Sequence, residues 1–225
     1  MGLTLMLKIQ TDKTGWSIRG ATILLPALFL FVILLQPWAE PKWMFLDPLT
    51  SAEFAEECCP PYYGFVSTLG VLLWAVTAAI CLFSALLIFV GKQNTALLKF
   101  ALSAGILTGW LTLDDAFLLH EKVLPSFGVP QNGVFVIYIA LTLAYVLYSW
   151  RTILASDFWI LAIGGAGFAI SLGIDVFFHS LIPVLVYLED SAKFIGIFSW
   201  ASFHITTLGR ALISTAPQPV FEGGN

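Results

Sequence analysis

Tyr63-Gly-Phe-Val-Ser-Thr-Leu-Gly-Val-Leu-Leu-Trp-Ala-Val-Thr-Ala-Ala-Ile-Cys-Leu-Phe-Ser-Ala-Leu-Leu-Ile-Phe-Val90 contains no charged side chain. At about 1.5 Å per residue, this run as a helix crosses the ~30 Å hydrocarbon core of a bilayer. It sits among similar runs: Ala21 to Gln36, Leu97 to Leu119, Val134 to Tyr148, Phe158 to Phe178 and Ala192 to Ile213. The first lacks a small-residue cleavage site and ends at Gln36-Pro37-Trp38, so it reads as a retained helix rather than a signal peptide. The pattern predicts an all-α, polytopic transmembrane helix bundle of about six spans. Residues 1–216 form its single domain, and 217–225 a disordered cytoplasmic tail.

Composition agrees. Of 225 residues, 59% are hydrophobic and only 11% charged, with a mean hydropathy of +0.91. A soluble domain keeps about a quarter of its residues charged. The net charge of −4 leaves no basic footprint for nucleic acid. Cys58, Cys59 and Cys81 are too few for a disulfide framework, and the adjacent pair reads as reduced thiols or soft ligands.

Basic residues set the orientation. With a cytoplasmic N-terminus, Lys8, Lys13, Arg19, Lys92, Lys99, Arg151 and Arg210 lie inside, and only Lys42, Lys122 and Lys193 lie outside. That matches the positive-inside rule and places both termini in the cytoplasm. The acids gather outside, among them Glu40, Asp47, Glu53, Glu56, Glu57, Asp114, Asp115, Glu121, Asp175, Glu189 and Asp190. Acids have little influence on topology, so their skew points to a polar site at the extracytoplasmic helix ends. Trp38, Trp43, Tyr62 and Tyr63 suit an outer aromatic belt, and Trp150 an inner one. Gly105 with Gly109, and Gly164, Gly165 and Gly167, suit close helix contacts.

Three stretches carry the candidate chemistry. Asp114-Asp115-Ala-Phe-Leu-Leu-His120-Glu121 closes the third span. On an unbroken helix Asp114 and Glu121 share a face, while Asp115 and His120 point ~140° apart. Asp175-Val-Phe-Phe-His179 closes the fifth span, with a carboxylate and an imidazole at i, i+4 on one face, able to share a metal or a proton. Glu189-Asp190-Ser-Ala-Lys193 opens the sixth, where Glu189 and Lys193 form an i, i+4 structural ion pair. The expected metal set is Asp175, His179, His120 and Glu121, holding zinc or iron. Asp114 or Asp115 is then the catalytic general base. Each group also has a plainer reading as helix-end solvation or an interhelical hydrogen bond. His204 lies ~22 Å deeper than Glu189 along an unbroken helix and reads as a bonded core histidine. Leu181 to Leu188, apolar and interrupted by Pro183, is expected to lie along the interface above the polar cluster.

The third-span stretch, together with Glu189-Asp190-Ser-Ala-Lys193-Phe-Ile-Gly196, resembles a group of bacterial multi-pass membrane proteins of unassigned reaction. The resemblance covers about the last half of the chain. It implies a bacterial inner membrane, or an internal one such as a thylakoid. Leu113-Asp114-Asp115 and Trp200-Ala-Ser-Phe-His204 are also similar to segments of the alkaline ceramidase and adiponectin-receptor-like hydrolases. Those are seven-helix proteins with histidine-held zinc. Here Trp200 stands where the first histidine of their His-x-x-x-His should be, and no histidine precedes Asp114 in the third span.

Three functions fit these residues. One is a metal-dependent hydrolase or oxidase acting on a lipid-like substrate. Another is a non-catalytic subunit or assembly factor of a membrane complex. The third is a transporter or proton path, with Gly164-Gly165 as a mid-membrane helix break. Membrane lipids are the common partner, and complex partners enter with the second reading.

Overall fold

A computed structural model describes residues 13–55, 60–92, 94–178 and 182–215, and among them there is no strand. Cys58, Cys59, Glu56, Glu57, His179 and the tail fall outside the described residues. The helices are α1 (Lys13–Leu35), α2 (Pro41–Phe45), α3 (Pro48–Ala55), α4 (Phe65–Val90), α5 (Thr95–Phe117), α6 (Leu124–Ser126), α7 (Gln131–Ala155), α8 (Phe158–Phe177) and α9 (Ile182–Thr215). A π-helical turn, Leu119–Val123, joins α5 to α6.

Five helices, α1, α4, α5, α7 and α8, are long and apolar enough to cross a membrane. The chain is therefore a multi-pass helical membrane protein. α9 has 34 residues. At ~1.5 Å each this is enough for a sixth crossing plus an extension. That extension differs from expectation, because 182–188 continue α9 instead of lying flat. Pro183 stands in the first turn, where a missing N–H breaks no helical bond.

α4 and α5 pack as one hairpin and α8 and α9 as another; α4 meets α9, and α7 leans on α5 and, along a shorter edge, on α8. Glycine sets the closest approaches. A Cβ on Gly167 would stand 2.6 Å from the Ala192 carbonyl oxygen and 3.0 Å from the Gly196 nitrogen. A Cβ on Gly105 would stand 2.7 Å from the Leu82 side chain. Gly165, expected on the same smooth face, has nothing within 4 Å of its Cβ position. Only Gly164 and Gly167 of that trio face α9, since one residue is ~100° of rotation. Without a hydrophobic force between helices in lipid, such close packing does the joining.

Mid-bundle, Trp74, Phe100, Tyr145, Trp200 and Phe203 form the core. Trp200 Nε1 donates to Thr108 Oγ1 at 3.0 Å, so its one polar atom is satisfied. A smaller core at one end inserts Met44 and Phe45 of α2 among Leu30, Ile33, Val66 and Phe194. At the opposite end Arg19 Nε reaches both oxygens of Asp157 at 2.9 Å, tying α1 to the turn between α7 and α8. Arg19, Lys92, Lys99 and Arg151 fall towards this opposite end, as the alternating directions of α1, α4, α5 and α7 require.

Candidate functional site

Leu118 decides the geometry of the polar end. α5 stops at Phe117 because Leu118 takes a left-handed conformation (φ 50°, ψ 44°). That conformation costs a bulky L-residue about 1–2 kcal/mol. Leu118 is itself buried, so packing holds it there. The π turn that follows swings His120 back over the end of its own helix. Its backbone N–H donates to Asp114 Oδ1 at 2.9 Å, and its Nδ1 lies 2.7 Å from Asp114 Oδ2. From α7, the Tyr138 hydroxyl donates to Asp114 Oδ1 at 2.7 Å. Asp114 is 5% exposed and takes all three contacts. An unbroken helix would have set Asp114 beside Glu121 and turned His120 away. The left-handed residue breaks that spacing and joins Asp114 to His120.

His120 is pre-oriented. Its ring centroid is 5.2 Å from that of Phe135 and 6.5 Å from that of Tyr138. With Nδ1–H donating to the carboxylate, Nε2 of the neutral ring is the acceptor.

Asp115, one residue on, faces α9 and takes a hydrogen bond from the Lys193 ammonium. Lys193, expected to pair with Glu189 along α9, makes this bond between helices. The carboxylate side is 9% exposed and the ammonium side 35%. Both residues, with Asp190, Ser67, Gly70 and Phe45, line a crevice of about 20 Å³, room for one water molecule.

Asp175, half-buried at the end of α8, accepts from Gln131 Nε2 at 3.1 Å. Lys122 donates to Glu53 at 2.7 Å, linking the π turn to α3. That hydrogen bond raises the pKa of Lys122. Asp47 starts α3 by accepting from the Leu49 and Thr50 backbone N–H groups at 3.0 and 2.9 Å. Glu121 has its carboxyl pKa raised, first by partial desolvation and then by the Asp47 carboxylate.

The structure therefore gathers Asp114 with His120, and Asp115 with Lys193. Asp175 accepts from Gln131 across the α7–α8 edge. Among the described residues no three His, Cys, Asp or Glu side chains converge to hold a metal ion. Of the expected set of Asp175, His179, His120 and Glu121, His179 lies outside them. His204, the position singled out by the ceramidase-like pattern, is fully buried. Its Nδ1 donates to the Trp200 carbonyl at 2.8 Å, so its Nε2 accepts from the Tyr145 hydroxyl at 2.7 Å. This is the bonded core histidine the sequence suggested.

Tyr138 and Gln131 went unnoticed in the sequence because neither carries a charge. The signal available was their spacing: Gln131, Phe135 and Tyr138 at i, i+4 and i+7 share one face of α7. All three touch a site residue.

A family model described as a domain of unknown function, DUF8692, matches residues 21–207, from α1 into α9. No curated protein and no solved structure matches the chain.

Proposed function

The chain belongs to the DUF8692 family, and from its geometry we propose that it is a membrane enzyme using His120 as a general base on a lipid-like substrate. One observation carries this reading: the Asp114–His120 pair, held by a left-handed Leu118 and a π turn. A structural cap needs neither distortion, and both kinds of distortion concentrate at functional sites. The same reading puts the polar end outside a bacterial inner membrane. Its support is the collection of Arg19, Lys92, Lys99, Arg151 and Arg210 towards the other end.

The chemistry is hydrolysis of an ester linkage. His120 Nε2 takes a proton from water as the water oxygen bonds to the ester carbon. Asp114 steadies the imidazolium, and the proton then passes to the departing alkoxide as the old C–O bond breaks. Tyr138 and the His120 backbone N–H position the Asp114 carboxylate.

The test reconstitutes the full chain in vesicles of a bacterial total-lipid extract and follows the lipid profile by mass spectrometry. The parent should convert a lipid species, and His120→Ala and Asp114→Asn should convert it at least ~10²-fold more slowly. Metal content is measured on the same preparations. Stoichiometric zinc or iron lost in His120→Ala would place a metal on Nε2.

A second reading, the non-catalytic subunit or assembly factor, is favoured by the bonds between elements. Asp115–Lys193, Gln131–Asp175 and Glu53–Lys122 join α5 to α9, α7 to α8 and α3 to the π turn. An unchanged lipid profile with folded parent overturns the enzyme reading and leaves this one.

A further inference from the structure

Ser67 of α4, Asp115 of α5, and Asp190 and Lys193 of α9 line one crevice of about 20 Å³, which Phe45 of α2 helps to close. Two carboxylates share one ammonium there. Lys193 donates to Asp115 Oδ1, and the Asp115 side chain is 9% exposed. Among the described residues, Asp115 Oδ2, the Asp190 carboxylate and the Ser67 hydroxyl have no hydrogen bond. We propose that this crevice binds one sodium-sized monovalent cation between the Asp115 and Asp190 carboxylates.

The balance of charge calls for a cation. The other groups that act on Asp190 and Lys193 are acidic: Asp47 ahead of α3, Glu189 on α9, Asp114 near the end of α5 and Glu121 in the π turn. α4 carries no charged side chain, and the Lys42 ammonium of α2 lies over the Trp43 ring at 4.8 Å. Lys193 therefore offsets one carboxylate of the pair and leaves the other uncompensated. An enclosed charge without a partner is costly. Asp190, ahead of the apolar run that begins at Ala192, bears that cost: its carboxyl pKa is pushed up to about 8. Burial is the largest cause; Lys193 pulls the value down, and Glu189, Asp115 and Asp47 raise it again. Below that pH a proton neutralises Asp190, and above it a cation takes the proton's place.

Size and donors select the ion. The crevice admits a single water-sized guest. Calcium takes about six to eight oxygens, and magnesium keeps several of its waters, so neither shell fits. A bare monovalent ion of sodium's size fits, with carboxylate and hydroxyl oxygens as its ligands. Bound there, it ties the start of α9 to α4 and α5. Asp114 and His120 are joined on the side of α5 that meets Tyr138 of α7, so this binding does not depend on the enzyme reading.

The test is thermal unfolding of the full chain in mild detergent at pH 9, with choline chloride exchanged for sodium or potassium chloride at constant ionic strength. Sodium at about ten times its dissociation constant should raise the melting temperature by ~3–5 °C over choline. Potassium should raise it less. At pH 6, where a proton occupies Asp190, the sodium concentration for half the effect should increase ~10²-fold. Asp190→Asn should abolish the sodium effect, and Ser67→Ala should weaken it about tenfold. Equal melting temperatures in sodium and choline overturn the proposal, as do equal effects of sodium and potassium. A sodium effect that survives Asp190→Asn overturns it too. Should Asp190→Asn fail to fold, Ser67→Ala decides, and an unchanged half-effect concentration there overturns the site. None of these readouts uses turnover.

Discussion

His120 Nδ1 lies 2.7 Å from Asp114 Oδ2, and the same carboxylate takes the His120 backbone N–H through Oδ1 at 2.9 Å. His120 is thus held at two points, ring and backbone, by a residue in the last turn of the helix it follows. Tyr138 adds a third contact from a different helix. Removing the carboxylate should therefore cost more than removing the imidazole. Asp114→Ala leaves the part-buried Tyr138 hydroxyl and the His120 N–H without acceptors, at up to about 1–3 kcal/mol each. His120→Ala leaves Asp114 with two of its donors. Thermal unfolding in mild detergent should rank Asp114→Ala below His120→Ala, and the reverse order would refute the geometry.

Asp115 and Lys193 should show coupling. Breaking a buried pair costs about 3–5 kcal/mol, but the Lys193 side is 35% exposed, so solvent screens part of the attraction. A cycle of Asp115→Asn, Lys193→Met and the double variant should give a coupling of ~1–2 kcal/mol. Strict additivity would mean that the pair contributes nothing.

The glycines of α8 divide by face. Gly167→Ala drives a Cβ into the Ala192 carbonyl at 2.6 Å, and overpacking of this kind costs about 1–3 kcal/mol. Gly165→Ala meets nothing and replaces a poor helix former, so it should be neutral or stabilise by up to ~1 kcal/mol. Equal effects on the melting temperature would contradict the α8–α9 packing.

Stability should also carry a pH signature from Glu121. Its carboxyl pKa is raised above the ordinary 4.5 by desolvation and Asp47. Folding therefore favours the protonated form, and this contribution is fully present below about pH 4.5. It is lost as pH rises through the raised value. Glu121→Gln, which cannot ionise, should have a melting temperature that falls less between pH 4 and pH 7 than the parent's. Parallel curves for the two proteins would show that the Glu121 carboxyl is not raised by its surroundings.

Hydropathy and spacing determined much of this protein. A run such as 63–90 without charge has one stable form in lipid, a helix that satisfies its own backbone, and that follows from composition alone. The clustering of acids at one end of the helices, and the place of His204 in the core, were legible for the same reason: both depend on position along a helix. Which groups meet was not. Nothing in Phe117-Leu118-Leu119 marks a left-handed residue, since neither glycine nor asparagine stands there. Tertiary burial of Leu118 overrides local preference and turns His120 onto Asp114. Lys193 finds Asp115 because α5 and α9 both pack on α4, and helix adjacency is a property of the packed bundle. Gly164 and Gly167 face α9 while Gly165 does not, because the neighbour's position, not the glycine, selects the face.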